Sequence, residues 1–235
     1  MAKPLDTTDT AAEAVPSAAN AADGEDTLDR LRVRIDEIDA DLHRLLMERF
    51  AVVERIGAVK GPTASVLRPD REAAVIAKRL ATHEGTMPAA ALVHIWRVIM
   101  SAASFNQRPF TVHVAGARAA EAAQFLFVPV PMVGHASGAD VVAALAAAPD
   151  DVAVVEAADE TWAAHLGDAH VIARVPLNGG GAVVVLAAKN IARGTGPFRL
   201  VREGNATREV APGATAHGEV LGHYHPFPLS IPVAR

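Results

Sequence analysis

The chain of 235 residues is half apolar, 21% charged, carries a net charge of −5 and contains no cysteine. That length supports one or two compact domains, and the missing thiols exclude disulfides, thiolate metal sites and cysteine nucleophiles. The acidic balance argues against nucleic acid or an anionic membrane as the main partner, and no apolar run reaches the ~18–20 residues of a membrane span.

Residues 1–26 hold one Lys, no Arg and six acids without periodicity, and read as a disordered tail. They lack the positive start of a secretory signal and the arginines of a transit peptide, so a cytoplasmic protein is expected. From Leu28 onward, apolar side chains recur at Leu31, Ile35, Ile38, Leu42, Leu45, Val52, Ile56 and Val59 in steps of three and four. This spacing predicts one long helix to about Lys60, with an apolar face that wants a coiled-coil-like partner. Gly61-Pro62 ends it.

A second helix is expected from Arg68-Pro69-Asp70 to about Glu84, stopped by Gly85. Pro88 opens a third, with Leu92, Ile95, Trp96, Ile99 and Ala103 on its apolar face, ending near Arg108-Pro109. Beyond Pro109, short apolar runs alternate with Ala-rich stretches. Strands are predicted at Phe110–Ala115, Val128–Val133, Val152–Val155 and Val171–Val175, and helices at Ala119–Phe127, Ala139–Ala147 and Glu160–Leu166. The alternation predicts a small α/β unit with a mainly parallel sheet. Gly179–Gly181 separates it from further strands at Ala182–Ala188, Phe198–Val201 and Glu219–Leu221. The fold class expected is therefore α plus α/β: a tail at 1–26, three helices at 27–108, and an α/β domain at 109–235.

The chemistry lies in a break of the first helix's apolar seam. Stepping 42, 45, 49, 52, 56 puts Arg49 where a Leu belongs, and Lys60 follows four residues after Ile56. A cation on a core-facing seam either pairs with an acid, snorkels to water or binds an anion, because burying it alone costs several kcal/mol. Arg71-Glu72 opens the second helix, Gln107 closes the seam of the third, and Arg32 flanks the first. Together these cations and the amide describe a site for a compact dianion, since a guanidinium donates two parallel hydrogen bonds to a carboxylate. Arg32 and Arg49 are 17 residues apart, about 25 Å along a helix, whereas Arg49 and Lys60 are roughly 16 Å apart. Arg32 can share the site only from an antiparallel partner helix, which implies an intertwined homodimer.

The ordered set Leu31-Arg32, Leu45-Leu46, Glu48-Arg49, Ile56-Gly57, Lys60, Arg71-Glu72 and Gln107 resembles the all-helical chorismate mutase family over about residues 28–108. The resemblance implies Arg49 and the partner's Arg32 on the two substrate carboxylates, and Lys60 and Gln107 as donors to the ether oxygen. It implies Glu72 as acceptor from the ring hydroxyl and Arg71 at the site's edge. Ala103 stands where many members carry Ser, and Arg68 where some carry Asp. The implied reaction, chorismate to prephenate in phenylalanine and tyrosine synthesis, needs no cofactor and no metal; loss of the Lys60 amine should cost at least about 3 kcal/mol.

Residues 110–175, Val183–Lys189 and Val220–Tyr224 resemble pieces of a prephenate dehydratase, shortened. That family's Thr-Arg-Phe tripeptide is missing near Gly181-Ala182-Val183, and Asn205–Arg208 is only a partial look-alike, so no dehydratase activity is expected. Isochorismate-pyruvate lyase on the same fold, or a ligand-sensing protein with a weak mutase site, are the alternatives. His217, His223 and His225 read as loop histidines rather than ligands, and Gly179–Gly181 precedes a strand, which disfavours phosphate binding. Asp151, Glu156 and Asp159 read as strand-end and solvated acids.

Overall fold

A computed structural model describes residues 27–61 and 63–233; the tail expected at 1–26 lies outside the described residues. The chain divides into two compact units at Arg49 and Phe50. The described part of the first is helix only. Helix α1 runs Leu28–Lys60, as the three-four spacing predicts, and none of its 33 residues is buried.

In the second unit, α2 (Pro69–Ala81) starts with Pro in its first turn and Asp70 and Glu72 facing the positive end of the helix dipole. It stops at Thr82, short of the expected Glu84. Helix α3 spans Ala89–Gln107 and buries Val93, Arg97, Met100, Ser101, Ala103 and Ser104. This face is rotated from the expected one: of Leu92, Ile95, Trp96, Ile99 and Ala103, only Ala103 is buried, and Ile95 is 40% exposed. The rotation follows from packing against both α2 and α4, which a single-helix pattern cannot anticipate.

The remaining elements are β1 (Val112–Ala115), α4 (Ala117–Leu126), β2 (Met132–His135), α5 (Gly138–Ala147), β3 (Val152–Glu156), a 3-10 turn (Glu160–His165), β4 (His170–Pro176), β5 (Ala182–Ala187), β6 (Phe198–Glu203), β7 (Ala206–Val210) and β8 (Glu219–Tyr224). They form one eight-stranded sheet in the order β2-β1-β3-β5-β4-β8-β6-β7. The strands of 110–175, β1 to β4, all run the same way, as expected there, but the sheet as a whole is mixed because later strands enter it antiparallel. β1 pairs β2 and β3 in parallel, and β4 pairs β8 in parallel, but β3–β5, β4–β5, β6–β7 and β6–β8 are antiparallel. The physical reason is the glycine run. Gly179, Gly180 and Gly181 all take positive φ, and they turn β4 back onto β5 as a hairpin instead of dividing two subregions.

Both faces of the sheet are covered. Val152, Val154, Val183 and Val185 pack with Ala119, Ala122 and Leu126 of α4. Their alternates Ala153, Val155, Val184 and Leu186 pack with Val141 and Leu145 of α5 and with Trp162. Alternating side chains on two covered faces explain why β5 reads as an unbroken apolar run. At the β4–β8 seam a Cβ on Gly222 would sit 2.1 Å from the Val171 carbonyl oxygen, so only glycine permits that approach. No helix among the described residues is long and apolar enough to cross a membrane.

Candidate active site

Lys60 is the last residue of α1, and Gln107 the last of α3. They line one open pocket of about 440 Å³, together with Gly57, Ala64, Asn106 and Arg108. Gly57 makes the helix contact close: a Cβ there would lie 3.4 Å from the Gln107 Oε1. The Gln107 amide donates to the Ala103 carbonyl at 3.4 Å, which leans it along its own helix. One turn before Gly57, Glu54 accepts a hydrogen bond from the Asn106 amide at 3.2 Å, a second tie between α1 and the end of α3. Lys60 is exposed at the rim of this pocket. The pocket is thus lined by one ammonium-bearing and one amide-bearing residue, both of a type that can donate hydrogen bonds to an anion.

The other expected residues stand elsewhere. Arg32 is exposed on α1 and pairs with Asp29 at 3.2 Å. Arg49, also on α1, is half-buried. Arg71 is exposed at the start of α2. Its neighbour Glu72 faces inward, where Oε2 accepts from Arg97 Nη1 at 2.6 Å, and both side chains are nearly buried. That ion pair lines a different cavity of about 340 Å³, mainly apolar, walled by Ile76, Phe127, Val175 and Phe227 among others. Thus Lys60 and Gln107 are brought together, while Arg71 and Glu72 do not line their pocket. Ala103 is buried and Arg68 exposed.

Arg97 escaped the sequence reading. Only 9% exposed, it also donates from Nη2 to the Leu126 carbonyl at 3.2 Å and lies 5.6 Å from the Phe127 ring centroid. Its signal was available: Val93, Arg97, Met100 and Ser104 step by four, three and four, the same break in an apolar seam that singles out Arg49. Gly57 stands in the resemblance only as part of the Ile56–Lys60 run; its contact lies 50 residues away, beyond the reach of any local pattern.

In the sheet-bearing region, His113 and His135 hydrogen-bond through Nδ1 and Nε2 at 2.9 Å, and His113 Nε2 lies 3.1 Å from Asp151 Oδ2. Asp151 is thus half-enclosed and engaged rather than solvated. Asp159 likewise accepts from Gly138 N and from Thr161 N and Oγ1; burial opposes its charge, and these bonds outweigh it and hold the carboxyl below its ordinary range. His217, His223 and His225 are exposed, and His225 lies 3.6 Å from Asp70.

Residues 31–108 match the family model described as chorismate mutase type II. Among curated proteins, the chain is similar to the bifunctional chorismate mutase/prephenate dehydratase of Neisseria gonorrhoeae, 37% identical over 94 residues, which are 38% of this chain and 26% of that protein. It is similar also to the protein of the same description from Aquifex aeolicus, 36% identical over 97 residues, 39% of this chain and 27% of that one. The chain's match thus spans about a quarter of each relative's length. No solved structure matches.

Proposed function

We propose that this protein is a chorismate mutase, an isomerase that rearranges chorismate to prephenate without a cofactor, and that it works as a homodimer in the cytoplasm. The observation that carries the reading is the meeting of Lys60 and Gln107 in one pocket, inside the stretch that matches the mutase family. An intramolecular rearrangement needs no nucleophile and no proton transfer. It needs the substrate held in its compact conformer and charge on the breaking ether bond stabilised. Lys60 and Gln107 supply the second requirement as donors to the ether oxygen.

Holding the substrate falls to Arg49 of the same chain and Arg32 of a second copy, one for each carboxylate, with Arg71 at the edge. Support for the second copy comes from α1. Leu28, Leu31, Ile35, Ile38, Leu42, Leu45, Val52 and Ile56 form its apolar stripe, and each is at least 40% exposed. A long exposed apolar stripe on a 33-residue helix, broken at Arg49, fits an identical helix lying antiparallel to it. Glu72 is proposed as acceptor from the ring hydroxyl. For it, the reading entails a rearrangement of α2 on binding, because Arg97 holds Oε2 in the free chain.

Residues 109–235 are proposed as a shortened, non-catalytic relative of a dehydratase. The experiment is to give the full chain chorismate and, separately, isochorismate. Prephenate accumulating without enzyme-dependent phenylpyruvate supports the whole reading. Salicylate plus pyruvate from isochorismate alone would instead mark a lyase, and ligand binding with no turnover a sensor.

A further inference from the structure

We infer that the sheet-bearing region braces the wall of the Lys60 pocket, with Asp150 as a positioning residue that acts through Arg108; this rests on the mutase reading above. The wall is the segment just after α1. Ala64, Ser65 and Val66 line the pocket that Lys60 and Gln107 share, yet they belong to no helix or strand. A loop without a hydrogen-bonded ladder keeps its shape only through side-chain and long-range ties.

Those ties come from far along the chain. Arg108, capping α3, ties two parts of the chain with its fork: Nη2 donates to the Ala64 carbonyl at 3.1 Å, and Nη1 to Asp150 Oδ1 at 3.0 Å, among its contacts. Asp150 lies between α5 and β3, and its Oδ1 also accepts from the Asn190 amide at 3.3 Å. Two residues on, the Ala192 N–H donates to Ser65 Oγ at 3.0 Å, while that hydroxyl donates to the Leu67 carbonyl at 2.6 Å. Asp70, at the start of α2, accepts from the Thr195 N–H at 2.9 and 3.0 Å and from its hydroxyl at 2.6 Å. Ala192 and Thr195 thus hold Ser65 and Asp70 directly, and Asp150 reaches Ala64 through Arg108, so three positions of the segment 64–70 are tied to the α/β region.

Lys60 sits directly before this segment, at a helix end followed by Gly61 with φ +78°. Slackening the wall would change the shape of the pocket that Lys60 and Gln107 line. Catalysis by oriented donors is sensitive to displacements of about 1 Å. Asp150 itself lines no part of that pocket, so its effect can only be transmitted.

The test uses the full chain, with Asp150→Ala, Asp150→Asn and Ser65→Ala compared in kcat and KM for chorismate, in amide exchange of residues 63–68, and in Tm. Asp150→Ala is expected to lower kcat/KM about tenfold, mainly through kcat, and to raise exchange in 63–68. Its Tm should move by no more than about 4 °C. Asp150→Asn keeps an acceptor for Arg108 and should stay within about threefold of the parent. Ser65→Ala should reproduce the faster exchange and keeps the test open should Asp150→Ala not fold. Unchanged exchange, or faster exchange with unaltered kcat/KM, overturns the brace. If the parent itself shows no turnover, the mutase reading has failed, and the exchange arm still decides whether Asp150 holds the segment.

Discussion

Replacing Leu42 and Leu45 together by Ala tests the proposed dimer at its seam. The two side chains are 53% and 51% exposed in the single chain. Full burial of a Leu is worth about 1.5–3 kcal/mol, so covering the exposed half contributes about 1 kcal/mol per side chain. A symmetric dimer carries the pair twice, and the double substitution therefore costs it about 4 kcal/mol, a weakening of Kd by about a thousandfold. Ala is a good helix former, so α1 itself should survive. Sedimentation velocity across a dilution series reads the association, and chorismate turnover in the same series reads its consequence. If the substrate site needs Arg32 from the second copy, specific activity of the variant falls on dilution in step with dissociation. A parent that sediments as a monomer while turning over chorismate refutes the reasoning, as does a double variant whose association matches the parent's.

Lys60→Ala should reduce kcat/KM by about 3 kcal/mol, over a hundredfold, with Tm unchanged; near-normal steady-state kinetics would remove Lys60 from its role. Arg97→Met should destabilise the fold by about 3 kcal/mol in urea titrations, because it strands Glu72 without a partner, while Arg97→Met with Glu72→Leu should recover most of that loss. His170 is 1% exposed, and burial, reinforced by the nearby Arg193 charge, holds its pKa below the ordinary histidine value. The unfolded chain then binds a proton that the native one refuses. Stability from this group is full above about pH 6.5 and falls as the pH drops below it, so Tm should decline from pH 7 to 5 more steeply in the parent than in His170→Leu.

The three helices were legible because each carries a local period: the α1 stripe, Pro69 with its acids, and Pro88 all act within a turn or two. Most strands were legible as apolar runs. What failed was everything set by distant partners. The direction of β5 depends on three glycines adopting positive φ, and the buried face of α3 depends on what packs upon it. Strand β7 went unseen because Ala206–Val210 is an exposed edge with Thr, Arg and Glu in its middle, which hides the β signal. That Lys60 and Gln107 share a pocket was foreseeable from residue type and seam position. Arg108 was seen only as a helix terminus, since its partners Ala64 and Asp150 lie 44 and 42 residues away.

The junction of β4 with β8 has one register pair, Val171 with Gly222, whereas β4 and β5 share six. In backbone pairing the sheet resembles two panels joined by a narrow strip, the outer one built from β6, β7 and β8 and sharing a buried core with the inner one through Leu200, Leu221 and Tyr224. Under load or mild denaturant, that outer panel should peel away as a unit before the inner five strands yield.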